Sequence, residues 1–160
     1  MNRFQITADI DVTLWLGALL HYKHVPNKIE YINLEKLFES ENVYFPTRDE
    51  LKNQLRTVTK NLEYEFLAYL RELTDKGLFK IDNVAVCLPL SDEAFIAQFG
   101  RVSTFVNGTF DTVVETSASQ EDVFDVVERA LNMAMDSENL RVENLDALSM
   151  ACLDIREIGD

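Results

Sequence analysis

The chain has 160 residues, 47% of them hydrophobic and 27% charged, and its 15 Lys+Arg against 28 Asp+Glu leave a formal net charge of −13. A folded chain of this length buries roughly 70% of the surface its unfolded form exposes, enough for one domain or two small ones sharing an interface, and disordered, collagen-like and coiled-coil-rod chains are excluded. No uncharged apolar run reaches the roughly 18 residues needed to span a bilayer, and Met1-Asn2-Arg3-Phe4 leads into polar residues and Asp9, so a soluble, cytoplasmic chain with no membrane association is expected.

Phe4, Ile6 and Ala8 alternate with Gln5 and Thr7, which predicts a short strand. Asp11 can cap a helix from Val12 to about Lys23, in which Leu14, Trp15, Leu16, Leu19, Leu20 and Tyr22 wrap most of the circumference, as in a helix buried on several sides. After the turn at Val25-Pro26-Asn27-Lys28, Asn33 can cap a short helix carrying Leu34, Leu37 and Phe38. Thr47-Arg48-Asp49-Glu50 is a capping box, the Thr47 hydroxyl taking the Glu50 N–H while the Glu50 side chain returns to the Thr47 N–H. Leu51, Leu55, Val58, Leu62, Phe66, Leu70 and Leu73 then recur at intervals of 4, 3, 4, 4, 4 and 3 residues, predicting one long helix to about Lys76 that Gly77 ends. Leu78 to Ile81 and Val84 to Leu88 flank Asp82-Asn83, a hairpin signal.

This order of helices and hairpin resembles a winged helix-turn-helix domain over residues 12–90, with Leu70-Arg71-Glu72-Leu73-Thr74-Asp75-Lys76-Gly77-Leu78-Phe79 as its local signature and the hairpin as its wing. The resemblance implies a recognition helix whose N-terminal half meets the DNA major groove with basic and amide side chains. Here that half reads Leu62-Glu63-Tyr64-Glu65-Phe66, which would turn two carboxylates toward phosphates.

Further on, Val102 to Val106 and Phe110 to Val114 alternate around Asn107-Gly108, a pair suited to a type I′ hairpin turn. Ser119 can cap a helix from Gln120 to about Met135, and Leu148 to Ile155 reads as a returning strand with Leu148, Met150 and Cys152 on one face. The expected fold class is therefore α+β: a helical N-terminal module with a long helix and a β-hairpin wing, then a small antiparallel β-β-α-β C-terminal module. Charge divides the same way. Residues 1–90 hold 11 basic and 13 acidic residues, net −2, whereas 91–160 hold 4 and 15, net −11, which places an acidic C-terminal module after a nearly neutral one, with the boundary near Pro89-Leu90-Ser91-Asp92.

The five glycines, at 17, 77, 100, 108 and 159, form no GxGxxG, P-loop or GxSxG pattern. His21 and His24 fit the C-terminal end of the first helix, where partial negative charge favours cations, better than a metal site. Asp9-Ile10-Asp11-Val12-Thr13-Leu14 resembles the DxDxT-L start of haloacid dehalogenase-like phosphatases, which would make Asp9 a phosphoryl-accepting nucleophile and Asp11 an acid/base near Mg²⁺. No downstream acidic pair completes that centre, so both are read as turn and cap residues, with no enzymatic activity, cofactor or metal expected. Cys87 and Cys152, in apolar surroundings and without CxxC spacing, are expected to be buried, reduced thiols.

Two charged faces remain. Arg48, Lys52, Arg56 and Lys60 recur every fourth residue and form a basic row able to neutralise phosphates, the contact that a winged-helix-like transcriptional regulator with a dimerising or sensing C-terminal module would use. Glu121, Asp122, Asp125 and Glu128 cluster on one helix, and Asp136 and Glu138 follow it. Carboxylates roughly 5 to 6 Å apart on a helix can imitate a phosphate row. The expected function is an acidic inhibitor or regulator of phage or mobile-element type that engages a basic nucleic-acid-handling protein, such as a nuclease or polymerase, through these six residues. Direct nucleic-acid binding through the basic row is the alternative.

Overall fold

A computed structural model of the chain describes residues 1–18, 30–32, 46–74, 77–90, 95–98 and 101–159. The first element is the long strand β1 (Asn2–Ala18), followed by β2 (Glu30–Ile32), helix α1 (Arg48–Leu73), β3 (Phe79–Cys87), β4 (Phe95–Gln98), β5 (Arg101–Thr116), helix α2 (Gln120–Met135), a 3-10 turn (Glu138–Leu140) and β6 (Leu145–Ile158). The strands form one antiparallel sheet in the order β2-β4-β5-β1-β6, with β3 beside β5 at the end that β4 leaves open. Without the short β2 and β4, the chain runs β1-α1-β3-β5-α2-β6 with strand order β3-β5-β1-β6, the split βαβ arrangement of ferredoxin-like domains.

This corrects the helix-first, wing-bearing architecture expected from the sequence: the chain is α+β, but a strand leads it and two helices are described. Residues 12–18 continue β1 instead of starting a helix. Phe4, Ile6, Ala8, Ile10, Val12, Leu14 and Leu16 are all buried, while Asp9 and Trp15 between them are exposed. That period of two runs through the whole segment, and pairing with β5 on one side and β6 on the other satisfies its backbone. The expected helix at Asn33 and both histidines lie outside the described residues.

Neither expected hairpin turn forms. Asn107-Gly108 sits inside β5, opposite Asp11 and Ile10 of β1. A side chain at Gly108 would meet the Cys87 carbonyl oxygen and Leu88 Cδ2 at 2.4 Å each, so glycine is there because the chain leaving β3 crosses its inner face. Asp82-Asn83 likewise lies within β3, at a register shift between Ile81 and Val84, where Thr112 Oγ1 donates to the Asn83 carbonyl at 2.6 Å.

Both helices begin where the sequence places them. The Thr47 hydroxyl accepts from the Glu50 N–H at 3.1 Å, and Ser119 does the same for Asp122 at 3.2 Å. Helix α1 is a single helix of 26 residues whose stripe Leu51, Leu55, Val58, Leu62, Phe66 and Leu70 is buried. It ends three residues earlier than expected, at Leu73, with the hydroxyl of the C-cap Thr74 donating to the Leu70 carbonyl, and the chain turns into β3 through Gly77 at φ +88°. Val123, Val127, Ala130, Leu131 and Ala134 are the buried face of α2. The two helices share one core with the inner sheet face, and Phe66 of α1 meets Phe110 of β5 edge-to-face at a centroid distance of 4.9 Å. The division near residue 90 falls between β3 and β4, within this sheet.

A polar seam fixes α1 to the segment after α2. Asn144 Nδ2 donates to the Trp15 carbonyl at 2.8 Å, its Oδ1 accepts from Gln54 at 2.7 Å, and its N–H donates to Gln54 Oε1 at 2.9 Å. Nearby, Asn61 donates to the Asn139 carbonyl and Asn139 to buried Glu65. No helix among the described residues is long and apolar enough to cross a membrane.

Candidate functional site

Three charged surfaces stand on this frame: the outer face of α2, one side of α1, and the sheet face that neither described helix covers. On α2 the apolar face points inward, which turns Glu121, Asp125 and Glu128 outward in a row that Asp136 continues as the C-cap. Asp122 lies about 100° round the helix from Glu121, and Glu138 belongs to the 3-10 turn beyond. All six are exposed. None has a basic group within 4.0 Å among the described residues, where the ion pairs are Arg3–Glu115 and Arg156–Asp154. The positive end of the helix macrodipole offsets Glu121 and Asp122, but Asp125 and Glu128 lie beyond the first turn, where that effect fades.

The basic row is also formed as the spacing predicts. Arg48 and Lys52 are half-buried and Arg56 and Lys60 exposed along one side of α1, with Arg56 Nη1 donating to Asn53 at 2.9 Å. It does not lie beside the acidic row. Gln54, Asn61 and Glu65, which hold the segment after α2, occupy the opposite side of α1, so the basic row looks toward β3.

The open sheet face is the surface the sequence did not reveal. Pairing brings Asp9 and Asp11 of β1, Asp111 of β5 and Asp154 of β6 together, so Asp9 and Asp11 are mid-strand residues and not the turn and cap expected. Each carboxylate stands opposite a neutral neighbour. Thr7 lies between Asp154 and Asp111, Thr109 faces Asp9, and Asn107 and Ser149 flank Asp11. Direct like-charge pairs are thereby avoided. Trp15 and Phe105, 41% and 47% exposed, are diagonal neighbours at one end of this face.

Both cysteines are free and exposed on this side, which corrects their expected burial. Cys87 faces outward opposite Thr109, itself opposite Asp9. Cys152 is turned outward by a bulge: it has φ +55°, and it and Leu153 together oppose Ala8. Its thiol hydrogen-bonds the Asp9 carboxylate, and that bond, with the Asp9 and Asp11 charges, pushes the thiol above its ordinary pKa. Three strand spacings, roughly 14 Å, separate the two cysteines, too far for a disulfide. Among the described residues no group of three or more His, Cys, Asp or Glu is placed to hold a metal ion.

No protein-family model matches the chain, and no curated protein matches it.

Proposed function

We propose that this is a non-enzymatic acidic binding protein that inhibits or regulates a basic nucleic-acid-handling protein, with α2 presenting carboxylates in place of phosphates. The observation that carries the reading is the outward row Glu121, Asp125, Glu128 and Asp136, unpaired with any cation among the described residues and held on a helix whose opposite face is locked in the core. Four residues of helix rise about 6 Å, so these charges form a line of fixed spacing, and repulsion along it is relieved by a cationic partner. Asp122 and Glu138 flank the line and extend its field, and the net charge of −13 steers a basic protein toward it.

The test is a pull-down from cell lysate at low and moderate salt, followed by affinity measurement on the recovered protein. Wild type should retain a basic nuclease, polymerase or comparable protein in a salt-sensitive manner. Asp125→Lys with Glu128→Lys should weaken that complex by about 3 kcal/mol, roughly a hundredfold in Kd, if each charge couples to its partner by about 1.5 kcal/mol. An unchanged affinity in the double variant would overturn the reading.

A further inference from the structure

A groove runs along α1 on its basic side, with β3 as the other wall. Two cavities of about 540 Å³ and 460 Å³ meet at Lys60 to form it. Its floor is apolar, with Leu67 and Ile81 in the first cavity and Leu55 and Leu88 in the second. Lys52, Arg56 and Lys60 line one half of the helical wall and Arg71 the far end, and none of them has a carboxylate within 4.0 Å among the described residues.

The opposite wall is a sheet edge. Among the described residues β3 pairs with β5 alone, and the Val86 N–H turns away from β5 to donate to Glu63 Oε1 of α1 at 3.1 Å. In an antiparallel ladder alternate residues share an edge, so the backbone groups of Val84 point the same way. Glu63 thus shows what this groove holds: a carboxylate on the backbone of a strand, beside a row of cations, above an apolar floor.

We propose that the groove binds an acidic, extended peptide segment of a partner, which adds to β3 as a further strand and displaces Glu63. Backbone bonds to the β3 edge would supply affinity, alternate apolar side chains would enter the floor, and acidic ones between them would meet Lys52, Arg56 and Lys60. The charge complementarity is local and opposes the −13 of the whole chain, so the row gives an acidic ligand a local attraction that the rest of the net charge does not. Nucleic acid is the poorer occupant: a phosphate could take an edge N–H but has no donor for the edge carbonyls and no alternating apolar side chains for the floor, and Glu63 stands among the cations. This surface lies on the opposite side of α1 from the α2 segment and is independent of the carboxylate row there.

Selection of a random twelve-residue peptide library on the intact protein tests it. Enriched sequences should alternate Asp or Glu with Val, Ile or Thr, and a synthetic copy of the best one should slow hydrogen exchange at the Val86 amide. Lys52→Glu with Lys60→Glu should lower its affinity at least tenfold, while Asp125→Lys with Glu128→Lys should not. Val84→Pro, which removes an edge N–H, should weaken it as well. Enrichment of basic or unpatterned peptides would overturn the proposal. So would an affinity that the Lys52/Lys60 pair leaves unchanged, or displacement of the peptide by an equal concentration of twelve-nucleotide oligothymidylate.

Discussion

Gly108→Ala separates the observed sheet from the hairpin that its sequence suggests. In β5 the glycine's inner face lies under the chain leaving β3, and an added Cβ would stand 2.4 Å from both the Cys87 carbonyl oxygen and Leu88 Cδ2. Ordinary carbon-to-oxygen contacts are no closer than about 3.3 Å, so the backbone at Cys87 must retreat by about 1 Å, and Leu88, itself buried, must repack. Overpacking of this kind costs about 1–3 kcal/mol, against a gain of about 0.5–1 kcal/mol from replacing a strand glycine. Taking the middle of each range, the net expectation is a loss of about 1 kcal/mol, a fall in Tm of roughly 2–4 °C at this chain length. Urea denaturation should show a lower midpoint with an unchanged slope. Asn107→Ala, at the exposed neighbouring position, should lie within about 0.5 kcal/mol of wild type. In a type I′ turn both residues would need positive φ and both substitutions would destabilise. A neutral or stabilising Gly108→Ala, or an Asn107→Ala of equal cost, would refute the close approach of β3.

Asn144→Ala should cost about 1–3 kcal/mol in urea denaturation, because it strips the Trp15 carbonyl and the Gln54 amide of partners at 2.8 and 2.7 Å; a change under 0.5 kcal/mol would show that water replaces both. Asp9→Asn should lower the pH at which Cys152 becomes reactive, since the charge that favours its protonated thiol is removed and the new amide N–H can donate to the thiolate. The pH profile of iodoacetamide alkylation, followed by mass spectrometry at Cys152, reads this directly, and an unchanged profile would rule out the Asp9 contact.

The helices were legible because their signals are local. A capping Thr47 or Ser119, followed by apolar residues every three or four positions, specifies a helix start and a buried face without reference to the rest of the chain. The strands were legible only in part. Between Val12 and Leu20 the apolar residues satisfy both a strand's alternation and a helix buried on several sides, and the partner strands that decide for β1 lie at residues 101–116 and 145–158. Asn107-Gly108 and Asp82-Asn83 carry turn chemistry, yet each sits where a strand bends past another, a demand that glycine and bulge residues meet equally well. Strands of 17 and 16 residues also lie far beyond the usual five or six. The charged rows on the helices were readable as i, i+4 repeats, whereas the carboxylates of the open face come from three strands and converge only through pairing. The two cysteines failed for the same reason: apolar neighbours suggested burial, and register decided the face.

The pairing of Arg3 with Ile158 has a consequence for how the chain reaches this state. The strand at the centre of the sheet is made first, and one of its partners is made last. Until β6 emerges, β1 offers an unpaired edge flanked by Ile6, Ile10 and Leu14. Long-range closure of this kind slows folding, and an open apolar edge in the interval invites pairing with other chains. Synthesis of nascent chains stalled before residue 145 should therefore yield protease-sensitive or aggregating species, with compact, protected protein appearing only once the final strand is free to add.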